Sequence, residues 1–320
     1  MKVVLIPGDG IGPEVATAAR EVVAATGVTI DWVIAHAGAA AAERFGDPLP
    51  EATLALVREH RVALKGPCTT PIGEGFRSIN VRMRQALDLF ASVRPVRTLP
   101  GVKVPFERVD LVVVPGVIEG LRIVTRAAAE RIVRFAFELA RREGRRRVTF
   151  CHKVDVLRLS DGLFLDCART VAEEYPFIGF EERRIDNLCM ELALDPSRFD
   201  VLVMENLFGD VISDLCAGLV GGLGLVPGAN IGVRYAVFEA VHGSAPDIAG
   251  KGLANPIAVI RSAALLLDHM GQREASRRIE AAVMRALERG RGLTRDLGGD
   301  GTTRTLTDAI IAGLPAAGAA

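Results

Sequence analysis

The sequence has no surplus charge of either sign: Lys plus Arg is 39 and Asp plus Glu is 39 in 320 residues. A chain-wide basic footprint is absent, so nucleic acid is not the expected partner, although balance says nothing about local anion sites. Cysteine is scarce and unpaired. Cys68, Cys151, Cys167, Cys189 and Cys216 are odd in number, widely scattered and form no CxxC. That excludes a zinc ribbon or redox dithiol and fits reduced thiols in or near a core. No run of 18 apolar residues occurs, so no membrane span is expected. The opening MKVVLIPGDG is too short for a secretory h-region, which leads us to expect a cytoplasmic protein. Aromatic residues make up only 5%, yet hydrophobic residues reach 49% and charged residues 24%. This is a globular composition with ample core material, long enough for about two domains.

What is present alternates. Lys2–Ile6 and residues 28–35 are short β-branched runs, separated by a helical stretch over 14–25 with Pro13 near its first turn. A helix over 54–59 precedes strand-like Val62–Leu64. Further strands are expected at 111–114, 147–151, 180–185 and 201–204. Helices are expected over 78–90, 127–141, 161–175, 210–220, 255–271 and 274–290. The five glycines between Gly221 and Gly232 read as a break. The alternation argues for an α/β fold with a largely parallel sheet. No internal repeat or low-complexity linker divides the chain, so two domains must share elements.

Four segments carry candidate chemistry. GDGIGPE (Gly8–Glu14) lies between a strand and a helix but lacks the third glycine offset of a dinucleotide loop, and no acidic residue ends the second strand. A glycine turn serving backbone geometry is the simpler reading. Ser78, Asn80, Arg84 and Arg94, with Arg82 and Arg97 nearby, suit a polycarboxylate because guanidinium forks bind carboxylates bidentately; a solvated basic helix face gives the same spacing. In NLFGDVISDL, Asp210 and Asp214 stand four apart on one helix face among apolar neighbours. A hard divalent cation would relieve their repulsion, with Asp186 as a third oxygen ligand, and a solvated pair is the alternative. HGSAPD (His242–Asp247) is a small-residue loop that allows close backbone approach by a ligand, with a carboxylate able to accept from ribose hydroxyls; its lone histidine is otherwise structural.

Taken together, GDGIGPE, LKGPCTTP at Leu64, RSINVRMRQALDLF at Arg77, SVRPVR at Ser92, HKVDVLRLSDGLF at His152, IDNLCMEL at Ile185, NLFGDVISDL at Asn206, GLVGGLGLVPGANIG at Gly218 and HGSAPDIAGKGLANP at His242 make the chain resemble the β-decarboxylating dehydrogenases, the isocitrate/3-isopropylmalate dehydrogenase family, over nearly its whole length. In motif it is nearest to NAD-dependent isocitrate dehydrogenases. The resemblance implies a two-domain α/β fold with a large mixed sheet flanked by helices, distinct from a Rossmann domain. Residues 1–92 and 221–320 would form the large, cofactor-binding domain, and 93–220 a small central domain with dimer contacts. The site would lie in a cleft built by two subunits of a homodimer.

The resemblance also implies roles. Asp210 and Asp214 match metal carboxylates, and Asp186 a third from the partner subunit. Lys153 matches a catalytic lysine, also serving the partner's site. Arg84 and Arg94 match arginines that grip substrate carboxylates; Ser78 and Asn80 match positions that meet the third carboxylate of isocitrate. Thr69, Thr70 and Asn187 match the nicotinamide region. Glu239, His242, Gly243, Ser244, Ala245 and Asn255 match cofactor contacts. Asp247 stands where NAD-dependent members carry an acid, which repels a 2′-phosphate and favours NAD over NADP. The implied reaction is NAD- and Mg²⁺- or Mn²⁺-dependent oxidation of a 2-hydroxy polycarboxylate, best matched by isocitrate, followed by loss of CO₂.

One segment departs from the family. After the strand at 111–114, relatives continue with an Arg-Glu-Asn-Thr-Glu-Gly run and then a tyrosine. Here Pro115–Arg122 rejoins the pattern at Ile123, about fifteen to twenty residues short. A third substrate arginine is replaced by Pro115, and the tyrosine that acts as a general acid has no counterpart, since only Tyr175 and Tyr235 exist. Arg82 and Arg122 are the nearest charges that could substitute. Asp155 stands where relatives carry Asn and would favour the charged form of Lys153. Two other readings stay open on this ground: a ligand-binding or regulatory subunit, or a dehydrogenase for 3-isopropylmalate, malate or tartrate.

Overall fold

A computed structural model describes residues 1–69, 78–102, 104, 109–116 and 124–315. In chain order the strands are β1 (Lys2–Ile6), β2 (Asp31–Ile34), β3 (Val62–Lys65), β4 (Ala91–Arg97), β5 (Asp110–Gly116), β6 (Arg147–His152), β7 (Gly179–Arg184), β8 (Val201–Glu205), β9 (Pro227–Ile231) and β10 (Ala236–Ala240). The chain divides into two compact units. One holds Met1–Leu89, Leu99–Val104 and Gly221–Ala320; the other holds Phe90–Thr98 and Pro105–Val220. The division falls at Leu89, not at residue 92, because β4 pairs with β5, and Leu99–Val104 return to the first unit.

In the first unit the strands run β2-β1-β3-β10-β9. β1, β2, β3 and β10 are parallel and β9 is antiparallel to β10. β1 is a run of Val and Leu/Ile buried on both faces from Val3 to Ile6, as a covered parallel strand requires. The helix Gly12–Ala25 carries Pro13 in its first turn and buries Val15, Ala19, Val22 and Val23. The helix Ile257–His269 packs against it with almost every side chain buried.

The second unit orders its strands β4-β5-β8-β6-β7. β5, β8, β6 and β7 are parallel and β4 is antiparallel to β5. The long helix Arg126–Glu143 is capped by the Thr125 hydroxyl, which accepts from the Ala128 N–H, and stops at Gly144 in the left-handed region at φ 66°. The α/β architecture, mixed sheet flanked by helices, is the one the sequence implied.

Several elements were not foreseen. The glycine-rich stretch over 221–232 is not a simple break: it carries β9, whose residues from Pro227 to Asn230 are buried against β10. The helix expected over 78–90 spans only Ile79–Ala86, because Asp88 takes a left-handed turn at φ 48° and the chain enters β4. Helices Ile185–Leu194 and Thr303–Ala312 were also not expected. No helix among the described residues is long and apolar enough to cross a membrane.

Candidate functional site

Parallel strands gather their C-terminal ends at one edge of a sheet, where loops rather than ladders meet a ligand. In the first unit, β1, β3 and β10 deliver the turn 7–12, the loop 66–69 and the loop 241–247 to that edge. The three segments are knitted together. The Asp9 N–H donates to the Pro67 carbonyl at 2.8 Å and the Ile11 N–H to the Ser244 carbonyl at 2.9 Å. The Thr69 and Ser244 hydroxyls meet at 2.6 Å. Thr70 lies outside the described residues.

Beside these loops is a cavity of about 350 Å³ lined by Ile11, His242, Ala245, Asn255, Arg295 and Asp296, among others. Asn255 is fixed within it: its amide donates to Asp296 at 2.8 Å and its carbonyl oxygen accepts the Ile257 N–H at 2.9 Å. His242 holds the Gly243 carbonyl at 3.0 Å through Nδ1, and its buried Nε2 has no partner among the described residues. Burial keeps this imidazole below its ordinary pKa, hence neutral. Gly243 has open space around it, and Ala245 adopts φ 40°, a strained value for a residue with a Cβ. Asp247 is exposed and its carbonyl accepts from Lys251 Nζ at 2.6 Å. A largely apolar cavity with a fixed amide and an imidazole nitrogen that has no partner among the described residues suits a nucleoside.

Glu239, matched above to a cofactor contact, lies in a buried polar network. It is buried at the end of β10, where it pairs with Lys65 Nζ at 2.6 Å and accepts from Asn230 Nδ2 at 2.7 Å. Lys65 is 1% exposed. Burial works to lower the Lys65 ammonium, but the Cys68 sulfur and the Glu239 carboxylate outweigh it. Burial likewise works to raise Glu239, and Lys65 and then Arg84 hold it below the ordinary carboxylate value. Arg84 joins the same network, donating from Nε to the Asn230 carbonyl oxygen at 2.8 Å. Asn80 sits one turn before Arg84 on the helix Ile79–Ala86, and its buried Oδ1 has no partner among the described residues. Ser78 is exposed at that helix's N-cap. Arg82 does not replace a missing charge here, because it forks onto Asp47 at 2.5 and 3.0 Å. Arg122 lies outside the described residues.

The second unit presents the acidic candidates. The helix Asn206–Leu219 follows β8 and is capped by Glu205, whose carboxylate accepts the N–H groups of Leu207 and Phe208 at 3.0 and 3.1 Å. One turn further in, Asp210 and Asp214 stand on one face. Arg94 on β4 is buried, donates to Asp210 at 2.6 Å and also reaches the Ser213 hydroxyl. Burial pushes the Asp214 carboxyl above its ordinary value; Arg94 opposes this and Asp210 adds to it. Two clustered oxygen donors, one poorly satisfied, have the chemistry that a hard divalent cation requires.

Lys153 follows β6 and Asp186 follows β7, and they pair at 3.0 Å. Asp155 holds the same ammonium at 3.2 Å. Asp186 first, and Asp155 second, keep Lys153 above the ordinary lysine pKa. Asp161, a buried carboxylate, accepts the Lys153 N–H at 2.6 Å. Asn187 is exposed next to Asp186. Among the described residues no three acidic, His or Cys side chains form a metal-sized group, so Asp186 does not join Asp210 and Asp214 within one chain.

Sequence reasoning missed Lys65, Asn230, Asp161 and Asp296. Nothing local marks them; each acquires its role by meeting a residue elsewhere in the fold. Asp9 lies inside GDGIGPE, whose local signal is its glycines.

The family profile for isocitrate/isopropylmalate dehydrogenases matches residues 2–123 and 117–310. The chain is 48% identical to the mitochondrial NAD isocitrate dehydrogenase catalytic subunit 5 of Arabidopsis thaliana, over 96% of this chain and 86% of that one. It is 46% identical to the chloroplastic 3-isopropylmalate dehydrogenase of Solanum tuberosum, over 91% and 86%. The crystal structure of isocitrate dehydrogenase from Methylococcus capsulatus superposes with a TM-score of 0.95 at 49% identity, covering 98% of both chains.

Proposed function

Because the chain belongs to the isocitrate/isopropylmalate dehydrogenase family and is an NAD-dependent dehydrogenase, we propose that it carries out the NAD- and divalent-metal-dependent oxidative decarboxylation of isocitrate. One observation carries this reading further than the family. A buried arginine, Arg94, stands against the paired carboxylates Asp210 and Asp214, which is the charge arrangement that a metal-chelated carboxylate needs. In the first unit by itself, Arg84, fixed by Asn230, offers a guanidinium to a carboxylate, and the buried Asn80 Oδ1, without a partner among the described residues, can accept from a hydroxyl.

Asp210 and Asp214 would hold a divalent cation, which would supply Lewis-acid polarisation of the 2-hydroxyl. The chain's own residues do the rest. Arg94 and Arg84 bind and orient carboxylates. Lys153, held charged by Asp186 and Asp155, is the proton donor, acting in the partner's site. The tyrosines do not serve: the Tyr175 hydroxyl is committed to Glu138 at 2.8 Å, and Tyr235 packs on a core cluster. His242 and Asn255 line the nucleoside cavity, and Asp247, exposed further along the same loop, disfavours a 2′-phosphate.

The active species in this reading is a homodimer in which Lys153 and Asp186 serve the partner's site. Met190 and Leu194 on the helix Ile185–Leu194, and Leu207 and Val211 on the helix Asn206–Leu219, are 55%, 72%, 64% and 56% exposed. Two packed helices each leave an i, i+4 apolar pair uncovered, and a second copy would bury them.

The test is NAD⁺ reduction with Mg²⁺ or Mn²⁺ across isocitrate, homoisocitrate, 3-isopropylmalate, D-malate and tartrate. Metal-dependent turnover on isocitrate above the other four supports the reading. Turnover on another acid alone transfers the enzyme to that substrate. No turnover on any, with isocitrate still raising Tm, favours a regulatory subunit.

A further inference from the structure

The GDGIGPE turn has no phosphate cradle in this fold; its glycines are filled by neighbouring backbone. A Cβ on Gly8 would meet the Pro67 carbonyl oxygen at 2.1 Å, and one on Gly10 would meet the Ser244 carbonyl oxygen at 2.0 Å. The turn is therefore pressed between the two loops that carry Thr69 and Ser244. The one charged side chain at its centre is Asp9. Its Oδ2 accepts the Thr69 N–H at 2.7 Å and the Ala39 N–H at 2.8 Å, while Oδ1 accepts the Ala40 N–H at 3.2 Å. Gly38 leaves room for this carboxylate: a Cβ there would sit 1.9 Å from Oδ2. Hydrogen bonds to a charged acceptor are about twice as strong as neutral ones, and all three donors belong to loop or helix-start backbone.

We propose that Asp9 is a positioning residue for cofactor binding, which fixes the Thr69 backbone so that the Thr69 and Ser244 hydroxyls stay paired at the edge of the nucleoside cavity. This rests on the reading of Thr69 and Ser244 as cofactor contacts. Asp9 acts through the backbone, since its carboxylate is taken up by the Thr69, Ala39 and Ala40 N–H groups. It ties together residues 9, 39, 40 and 69, while the same turn's Ile11 N–H holds Ser244, so the spacing of the two cofactor loops is set by one carboxylate and one turn.

The experiment measures NADH binding by fluorescence in the full chain, with Asp9→Ala, Asp9→Asn and, as a core control, Val23→Ala in the helix Gly12–Ala25. Asp9→Ala removes every acceptor and should raise the NADH Kd roughly 10- to 100-fold. Asp9→Asn keeps one oxygen for the Thr69 and Ala39 N–H groups and should lie between Asp9→Ala and wild type. Val23→Ala lowers Tm but should leave Kd within about twofold. Should Asp9→Ala fail to fold, a several-fold rise with Asp9→Asn supports the proposal. Wild-type Kd in the Asp9 variants overturns it, as does an equal loss with Val23→Ala. Failure of the wild-type chain to bind NADH would instead remove the cofactor reading, and the proposal with it.

Discussion

Arg94 lies on the Asp210 carboxylate at 2.6 Å, so a side chain proposed to bind substrate neutralises one proposed to bind metal. The two demands compete. Arg94→Gln should tighten Mn²⁺ binding in the absence of substrate by about two- to fivefold, since a partly exposed pair is worth up to about 1 kcal/mol. The same variant should raise KM for the hydroxy acid by roughly 30-fold or more, because losing a buried carboxylate partner costs about 2–5 kcal/mol. Titration of free Mn²⁺ by paramagnetic resonance, beside steady-state kinetics, checks both. Weaker Mn²⁺ binding in the variant would refute the competition.

Lys153 is held charged from two sides, and only one of those sides is a proposed metal ligand. Its raised pKa keeps the ammonium form to higher pH than an ordinary lysine. If that form donates the proton, kcat falls as pH rises through the raised value. Asp155→Asn removes one of the two holding charges, so the alkaline limb of the kcat profile should move to lower pH. A limb that stays in place would show that Lys153 does not titrate in the rate-limiting step.

The Lys65–Glu239 pair should dominate the stability of its region. Glu239→Gln leaves a buried ammonium without its counter-charge and should cost about 3–5 kcal/mol, or roughly 6–20 °C in Tm. The double variant Lys65→Met/Glu239→Leu should lose much less, because no charge is stranded. Glu239's folded pKa lies below its ordinary value, so its contribution is present at neutral pH and is lost as pH falls through the depressed value. Thermal unfolding of the three proteins between neutral and acid pH reads this out; equal losses in the single and double variants would contradict it.

The uncovered helix pairs should be an interface. Leu194→Glu with Val211→Glu should yield a monomer by light scattering, with unchanged far-UV circular dichroism and turnover lowered by at least about a hundredfold, as a chain deprived of the partner's lysine requires. A fully active monomer would refute the shared site.

The strands built of consecutive β-branched residues, such as Lys2–Ile6, were legible because period and composition agree. The acidic pair Asp210/Asp214 was legible because one helix face is a local property. β9 was not, because in Pro227–Ile231 pairing with β10 decides the structure and the local glycines argue against it. Lys65 was not, because a lysine ending a strand reads as exposed unless one knows that Glu239, far along the chain, closes over it. Asp9 was visible, but its meaning depends on an N–H sixty residues away.

The first unit is assembled from the two ends of the chain. During synthesis β1, β2 and β3 emerge early, yet the free edge of β3 waits for β10, which is made after the whole of Pro105–Val220. The second unit draws its strands from one nearly continuous stretch and can close while the ribosome is still working. The nascent protein thus carries an open, apolar parallel edge for more than half of its translation, a template for wrong pairing that a folding helper would need to shield.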